Sequence, residues 1–192
     1  MNSLQQALSS SHSLSLEEFY QLVENELTDN QPKMYETKYL TYIQDGKDLS
    51  DAIKKHLQIE KKFFNQIQKL SSLKFCMILE PWCLDACVLL PILEAISVIR
   101  PELEIRLYLR DSNEDLMNQF LTNGSKSIPI AFGLDENDEE IFRWGARTAL
   151  AQKNMDAMLG QDFETKYKAM KEWYLSDNGK SVQEEWLDSL NS

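Results

Sequence analysis

The segment from Lys74 to Leu109 most constrains the fold. Lys74-Phe75-Cys76-Met77-Ile78-Leu79 is a short apolar run with no helical period, the pattern of a buried strand. Glu80-Pro81-Trp82 then makes a turn, and a helix is expected from about Cys83 to Ile99. It stops at Arg100-Pro101, because the residue before proline is driven out of helical geometry. Glu104 to Leu109 alternates and reads as a second strand. Asp111-Ser112 caps a short helix carrying Leu116, Met117, Phe120 and Leu121, which ends at Asn123-Gly124. Ile130–Leu134 and Glu140–Trp144 follow as strands joined by the acidic turn Asp135-Glu136-Asn137-Asp138. Helix is expected over Thr148–Tyr174 and Ser181–Leu190. Strands separated by a helix should run parallel, and the hairpin pair antiparallel. The implied fold class is α/β, a mixed sheet flanked by helices on both faces.

Upstream, residues 1–13 are polar, serine-rich and aperiodic, and read as a frayed terminus. Ser15 followed by Glu18 has the form of a capping box, and Phe19, Leu22, Val23 and Leu27 give the helix it opens one apolar stripe. A helix over Tyr35–Ile43 should break at Asp45-Gly46, and another should run from Leu49 to Leu70. The domain division is then an N-terminal helical extension packed on the core, residues 1–70, and a sheet domain with C-terminal helices, residues 71–192.

Charge sets limits on function. The 192 residues carry 20 Lys and Arg against 31 Asp and Glu, a net charge of −11. Only the middle of the chain is neutral, and no basic cluster is available for nucleic acid or an anionic membrane. No basic start leads into an apolar block, so no signal peptide or membrane span is expected, and a cytoplasmic location follows. Three cysteines, Cys76, Cys83 and Cys87, cannot all pair within one chain, which argues against a secreted disulfide scaffold.

The sharpest chemical feature is Pro81-Trp82-Cys83-Leu84-Asp85-Ala86-Cys87 at a strand-to-helix junction. A thiol at a helix start faces unpaired N–H groups and the positive end of the dipole, both of which favour thiolate. Cys83 is therefore expected to react, with Asp85 opposing its ionisation. Cys76, in mid-strand, reads as a buried hydrophobe. The His12 and His56 positions, both upstream, supply no ligand spacing for zinc, and no cofactor is expected.

With Pro91 inside the helix and Ile128-Pro129 immediately before a strand, this stretch resembles the thioredoxin superfamily. Glu80-Pro81-Trp82-Cys83, Leu109-Arg110-Asp111, Leu121-Thr122-Asn123-Gly124, Ser127-Ile128-Pro129 and Trp144-Gly145 resemble more closely a bacterial branch of thioredoxin-like proteins with a Trp-Cys-x-Asp motif. The resemblance spans about residues 74–148. It implies a thioredoxin fold and a cis-proline at Pro129 facing Cys83. It also implies thiol–disulfide exchange with a protein or low-molecular-weight thiol or disulfide, held at Trp82, Ile128 and Pro129. Trp144 is expected on the same surface, and Trp173 and Trp186 in the core of the terminal helices.

The departure is the second cysteine, which falls on Cys87 where the family places it at Ala86. Four residues apart on a helix, Cβ atoms stand about 5–6 Å from each other, beyond the roughly 3.5–4.5 Å of a disulfide. Three mechanisms stay open: Cys83 acts alone, Cys87 resolves it after local unwinding, or neither reacts and the fold is an interaction module. The Cys-x-x-x-Cys spacing also resembles copper chaperones of the cytochrome-oxidase assembly class, in which two thiolates would hold Cu(I).

Overall fold

A computed structural model describes residues 2–28, 31–70 and 74–190. Its sheet contains β1 (Lys74–Leu79), β2 (Glu104–Leu109), β3 (Ile130–Leu134) and β4 (Glu140–Gly145), in the order β2-β1-β3-β4. β1 and β2 are parallel, with Ile78 opposite Tyr108, and α5 (Leu84–Ile99) connects them. β3 runs antiparallel to β1, with Ile78 opposite Ile130, and forms the expected hairpin with β4. The parallel course expected between β2 and β3 is therefore corrected. Their link holds only a 3₁₀ turn, Arg110–Ser112, and the four-residue α6 (Glu114–Met117), too little helix to carry the chain back along the sheet. β3 consequently starts beside the end of β1, bringing residues 128–129 to the start of α5.

Period-2 alternation gives the sheet two apolar faces. On one, Phe75 lies 5.1 Å from Phe142 and 5.0 Å from Trp186 of α9 (Lys180–Ser189), measured between ring centroids. On the other, Phe132 lies 4.5 Å from Phe120. α9 therefore covers the first face, and the segment that follows α6 packs on the second.

The N-terminal segment differs from its expected frayed state. α1 (Ser3–Ser10) is closed by a capping box between Asn2 and Gln5, and Ala7 is buried. Leu4, Ala7 and Leu8 supply a short apolar stripe hidden among serines. Leu14 then exchanges backbone hydrogen bonds of 2.7 and 2.8 Å with Leu107, covering part of the exposed edge of β2. α2 (Leu16–Leu27) begins at the Ser15–Glu18 capping box, as its sequence indicates.

Two other boundaries move. α3 (Thr37–His56) runs straight through Asp45-Gly46, and the chain breaks instead after His56, before α4 (Lys61–Lys69). Gly46 serves helix packing: a Cβ there would lie 2.5 Å from Cys87 Sγ and 3.3 Å from the Pro81 carbonyl. The single helix expected over Thr148–Tyr174 is two, α7 (Ala149–Ala157) and α8 (Phe163–Asp177). Gly160 lies between them at φ 90°, and Asp162 caps the second.

This close approach makes a measurable prediction. Gly46→Ala gains helix propensity of about 1 kcal/mol but overpacks Cys87, at a typical cost of about 1–3 kcal/mol. Urea unfolding should show net destabilisation in the wild-type background. In the Cys87→Ala background the same substitution should cost at least about 1 kcal/mol less.

Candidate functional site

The turn after β1, the segment entering β3 and the segment leaving β4 meet at the N-terminus of α5. Cys83 is the N-cap residue of that helix, although its side chain caps no helix N–H. Its Sγ lies 3.5 Å from the Ile128 carbonyl, to which the thiol donates. The Ile128–Pro129 peptide is cis, as is Gly145–Ala146. Trp82, Cys83, Ile128 and Pro129 are thus brought together.

The expected exposed, activated sulfur is not what the fold provides. Cys83 is 8% exposed, and burial, followed by the Asp85 carboxylate, pushes its thiol up to about 12. N–H groups of Ala86 and Asp85, together with Arg147, act in the opposite sense without prevailing. Cys83 nonetheless lines a cavity of about 300 Å³ at the margin of the core to which it belongs.

Cys87 turns elsewhere. Its Sγ lies 3.3 Å from the Cys83 carbonyl, and the residue lines a separate cavity of about 170 Å³ with Phe19, Tyr20, Ile43 and Gly46. Burial raises this thiol as well. All three cysteines are free and buried, and Cys76 lies within β1 as its sequence suggests. Among the described residues, no group of three or more His, Cys, Asp or Glu side chains is arranged to hold a metal ion.

Asp85 is held by partners that have no local signal in the sequence. Arg147, two residues past β4, donates to it from Nε at 2.9 Å and from Nη2 at 2.6 Å, and the Tyr174 hydroxyl of α8 donates to the same carboxylate. The geometry is bidentate, which suits a partly buried pair. Trp82 is sandwiched in a similar way. Tyr39 of α3 stacks on it at 5.4 Å, and the Arg110 guanidinium sits 4.9 Å from its ring.

Two tryptophans are placed differently from expectation. Trp144 is buried under α9, where its Nε1 donates to Glu185 at 2.7 Å, so it takes no part in the surface around Cys83. Trp173 is half-buried, whereas Trp186 is fully enclosed.

Glu80 is a further residue that sequence reasoning missed. It is buried, accepts from the Tyr35 hydroxyl at 2.5 Å and from the Asp111 N–H at 2.9 Å, and so ties the helical extension to the end of β2. Burial raises its pKa against the lowering effect of those two bonds.

Sequence and fold comparisons agree with the fold. A family model described as Thioredoxin matches residues 33–170. The chain belongs to the thioredoxin family. Among solved structures, an HIV epitope-scaffold superposes with a TM-score of 0.56 at 15% identity, covering 97% of this chain and 96% of its own. A Pseudomonas aeruginosa protein of unknown function gives a TM-score of 0.51 at 15% identity, covering 96% and 99% respectively. At that identity the likeness concerns the fold alone. A search of the curated proteins returned no match. The thioredoxin family match begins before α3, so it includes the helix that stacks Tyr39 on Trp82.

Removing the Asp85 charge should lower the Cys83 pKa from about 12, because Asp85→Asn deletes a like charge and leaves Arg147 unpaired beside the sulfur. Alkylation by iodoacetamide at fixed pH, followed by mass mapping, should accelerate about three- to fourfold for each unit the thiol falls, because the thiolate fraction rises about tenfold while each thiolate becomes a weaker nucleophile. Glu80 gives a stability test. Its folded-state pKa lies above the ordinary 4.5, so the folded state holds its proton more tightly and stability should decline as pH rises from about 4.5 through the raised value. Glu80→Gln should abolish that decline, and Glu80→Ala should cost about 1–3 kcal/mol by orphaning the Asp111 N–H.

Proposed function

We propose that the protein carries out thiol–disulfide exchange through Cys83 alone. The observation that carries this reading is the placement of Cys83, a residue of a cavity lining whose Sγ lies 3.5 Å from the Ile128 carbonyl at the entry to β3. Cys83 Sγ attacks one sulfur of a disulfide R–S–S–R′, the old S–S bond breaks, and Cys83–S–S–R forms. R′S⁻ leaves with the bonding pair and takes up the proton that Cys83 has lost. A second thiol, R″SH, attacks the mixed disulfide, restores the Cys83 thiol and releases R–S–S–R″. Cys83 is oxidised in the first step and reduced in the second, so the protein is unchanged overall.

Cys87 has no place in this cycle. It lines the other cavity, against Gly46 of α3, and reaching Cys83 would require the first turn of α5 to open. The reading also sets a rate. With its thiol at about 12, Cys83 holds little thiolate at neutral pH, and exchange is slow unless the substrate itself changes the sulfur's surroundings. The same burial favours a second reading, in which the fold is a non-catalytic binding module and the cysteine is part of its cavity wall.

Incubation with glutathione disulfide and with 2-hydroxyethyl disulfide, followed by peptide mass mapping, separates the two. Exchange predicts an adduct on Cys83, none on Cys76, and no Cys83–Cys87 cystine. The adduct's rate of formation should rise about tenfold per pH unit between pH 7 and 10 without a plateau, as the thiolate fraction grows. If Cys83 stays unmodified at pH 10 while the urea-unfolded chain reacts, the binding-module reading replaces this one.

A further inference from the structure

The cavity over Cys83 has a chemistry of its own. Tyr39 and Trp82 form a stacked pair in its lining. Tyr42, Phe163 and Tyr167 form a second aromatic cluster in the lining, with ring centroids 5.2–5.8 Å apart. Met155 and Met170 complete an apolar lining. Its volume of about 300 Å³ sits at the low end of the range for small-ligand pockets, roughly 300–1,000 Å³. Phe163 stands at the start of α8 with 62% of its surface exposed, an apolar side chain that an occupant would cover.

The charge of the lining is unusual for this chain. Although the protein carries −11 overall, the charged residues around the cavity are one acid, Asp85, and two bases, Arg147 and Lys166. Asp85 and Arg147 satisfy one another in a bidentate pair. Lys166 is half-buried and makes no ion pair among the described residues. One positive charge is left over beside an aromatic chamber.

We infer that this cavity binds a small carboxylate with an aromatic or apolar body, the body lying among the Tyr39–Trp82 and Tyr42–Phe163–Tyr167 rings and the carboxylate pairing with Lys166. The ring pairs favour a flat, unsaturated body through stacked and edge-to-face contact, and the ammonium selects the anion over a neutral analogue of the same shape. The assignment rests on the exchange reading only for a chemical step after binding, in which a ligand bearing a disulfide would present it to Cys83. Binding itself does not use the thiol.

Calorimetric titration of the full chain with 2-naphthoate and with neutral 2-naphthamide tests this. Naphthoate should bind one site per chain, and the amide at least about tenfold more weakly, a factor equivalent to about 1.4 kcal/mol. Lys166→Met should remove that preference by weakening naphthoate alone, and Lys166→Arg, which keeps the charge, should retain it. Circular dichroism would check that both variants are folded. Binding is read by calorimetry and exchange by mass mapping on the same wild-type chain, so absence of a Cys83 adduct leaves the binding assignment standing. Absence of naphthoate binding, equal affinity for acid and amide, or equal weakening of both by Lys166→Met would overturn the inference.

Discussion

The contact of α3 with α5 sets the arrangement of everything around Cys83. Helices pack with axes about 8–10 Å apart when ordinary side chains separate them, and a glycine allows a closer approach. Here Gly46 brings the α3 backbone onto Cys87 Sγ and the Pro81 carbonyl. With the helix laid down at that point, Tyr39, two turns earlier, falls on the Trp82 ring, and Tyr42 reaches Phe163 and Tyr167 of α8. Gly46 and Cys87 themselves line one of the two cavities, and Tyr39 and Cys83 line the other. The helical extension is therefore part of the construction of the site.

At Cys83 two physical effects compete, and their sizes decide the outcome. A helix N-terminus stabilises a nearby negative charge by about 0.3–1 kcal/mol, occasionally about 2, and a tenfold change in ionisation corresponds to about 1.4 kcal/mol. The dipole thus shifts a thiol by about one unit. Burial under α3 and α8, together with the Asp85 carboxylate, moves the thiol up to about 12 and outweighs it. Arg147 reduces the contribution from Asp85 but is occupied in pairing with it. The same enclosure that excludes water from the sulfur forms the apolar chamber beside it, so a low thiolate population and a small-ligand cavity share one cause.

These magnitudes also explain what was legible in the sequence. The four strands, the Ser15 capping box and the helix after Cys83 were readable because each depends on residues within one or two turns of one another. The meeting of Cys83 with Ile128-Pro129 was legible through family resemblance, since 45 residues separate the sulfur from the carbonyl it approaches. Burial of the sulfur was not legible, because it depends on α3 and α8, which have no local link to the motif. The Asp45-Gly46 break failed for a related reason. Glycine marks both turns and close helix contacts, and only the partner helix shows which applies. Asp85–Arg147 and Glu80–Tyr35 join residues 62 and 45 positions apart, and no periodicity records such pairs.

The spacing of the cysteines acquires a specific meaning from this packing. Successive residues of an α-helix are rotated by about 100°, since 3.6 residues make a turn. A second cysteine at position 86 would occupy the place of Ala86, which is fully buried, whereas position 87 is turned one step further round, toward α3. Position 87 therefore places the thiol in the contact with Gly46, outside the lining of the Cys83 cavity. There it fills the space that the missing glycine side chain leaves, and its sulfur can donate to the Cys83 carbonyl at 3.3 Å. Cys87 is thus matched to Gly46 as one packing pair, and Cys83 is left as the single thiol on the aromatic cavity.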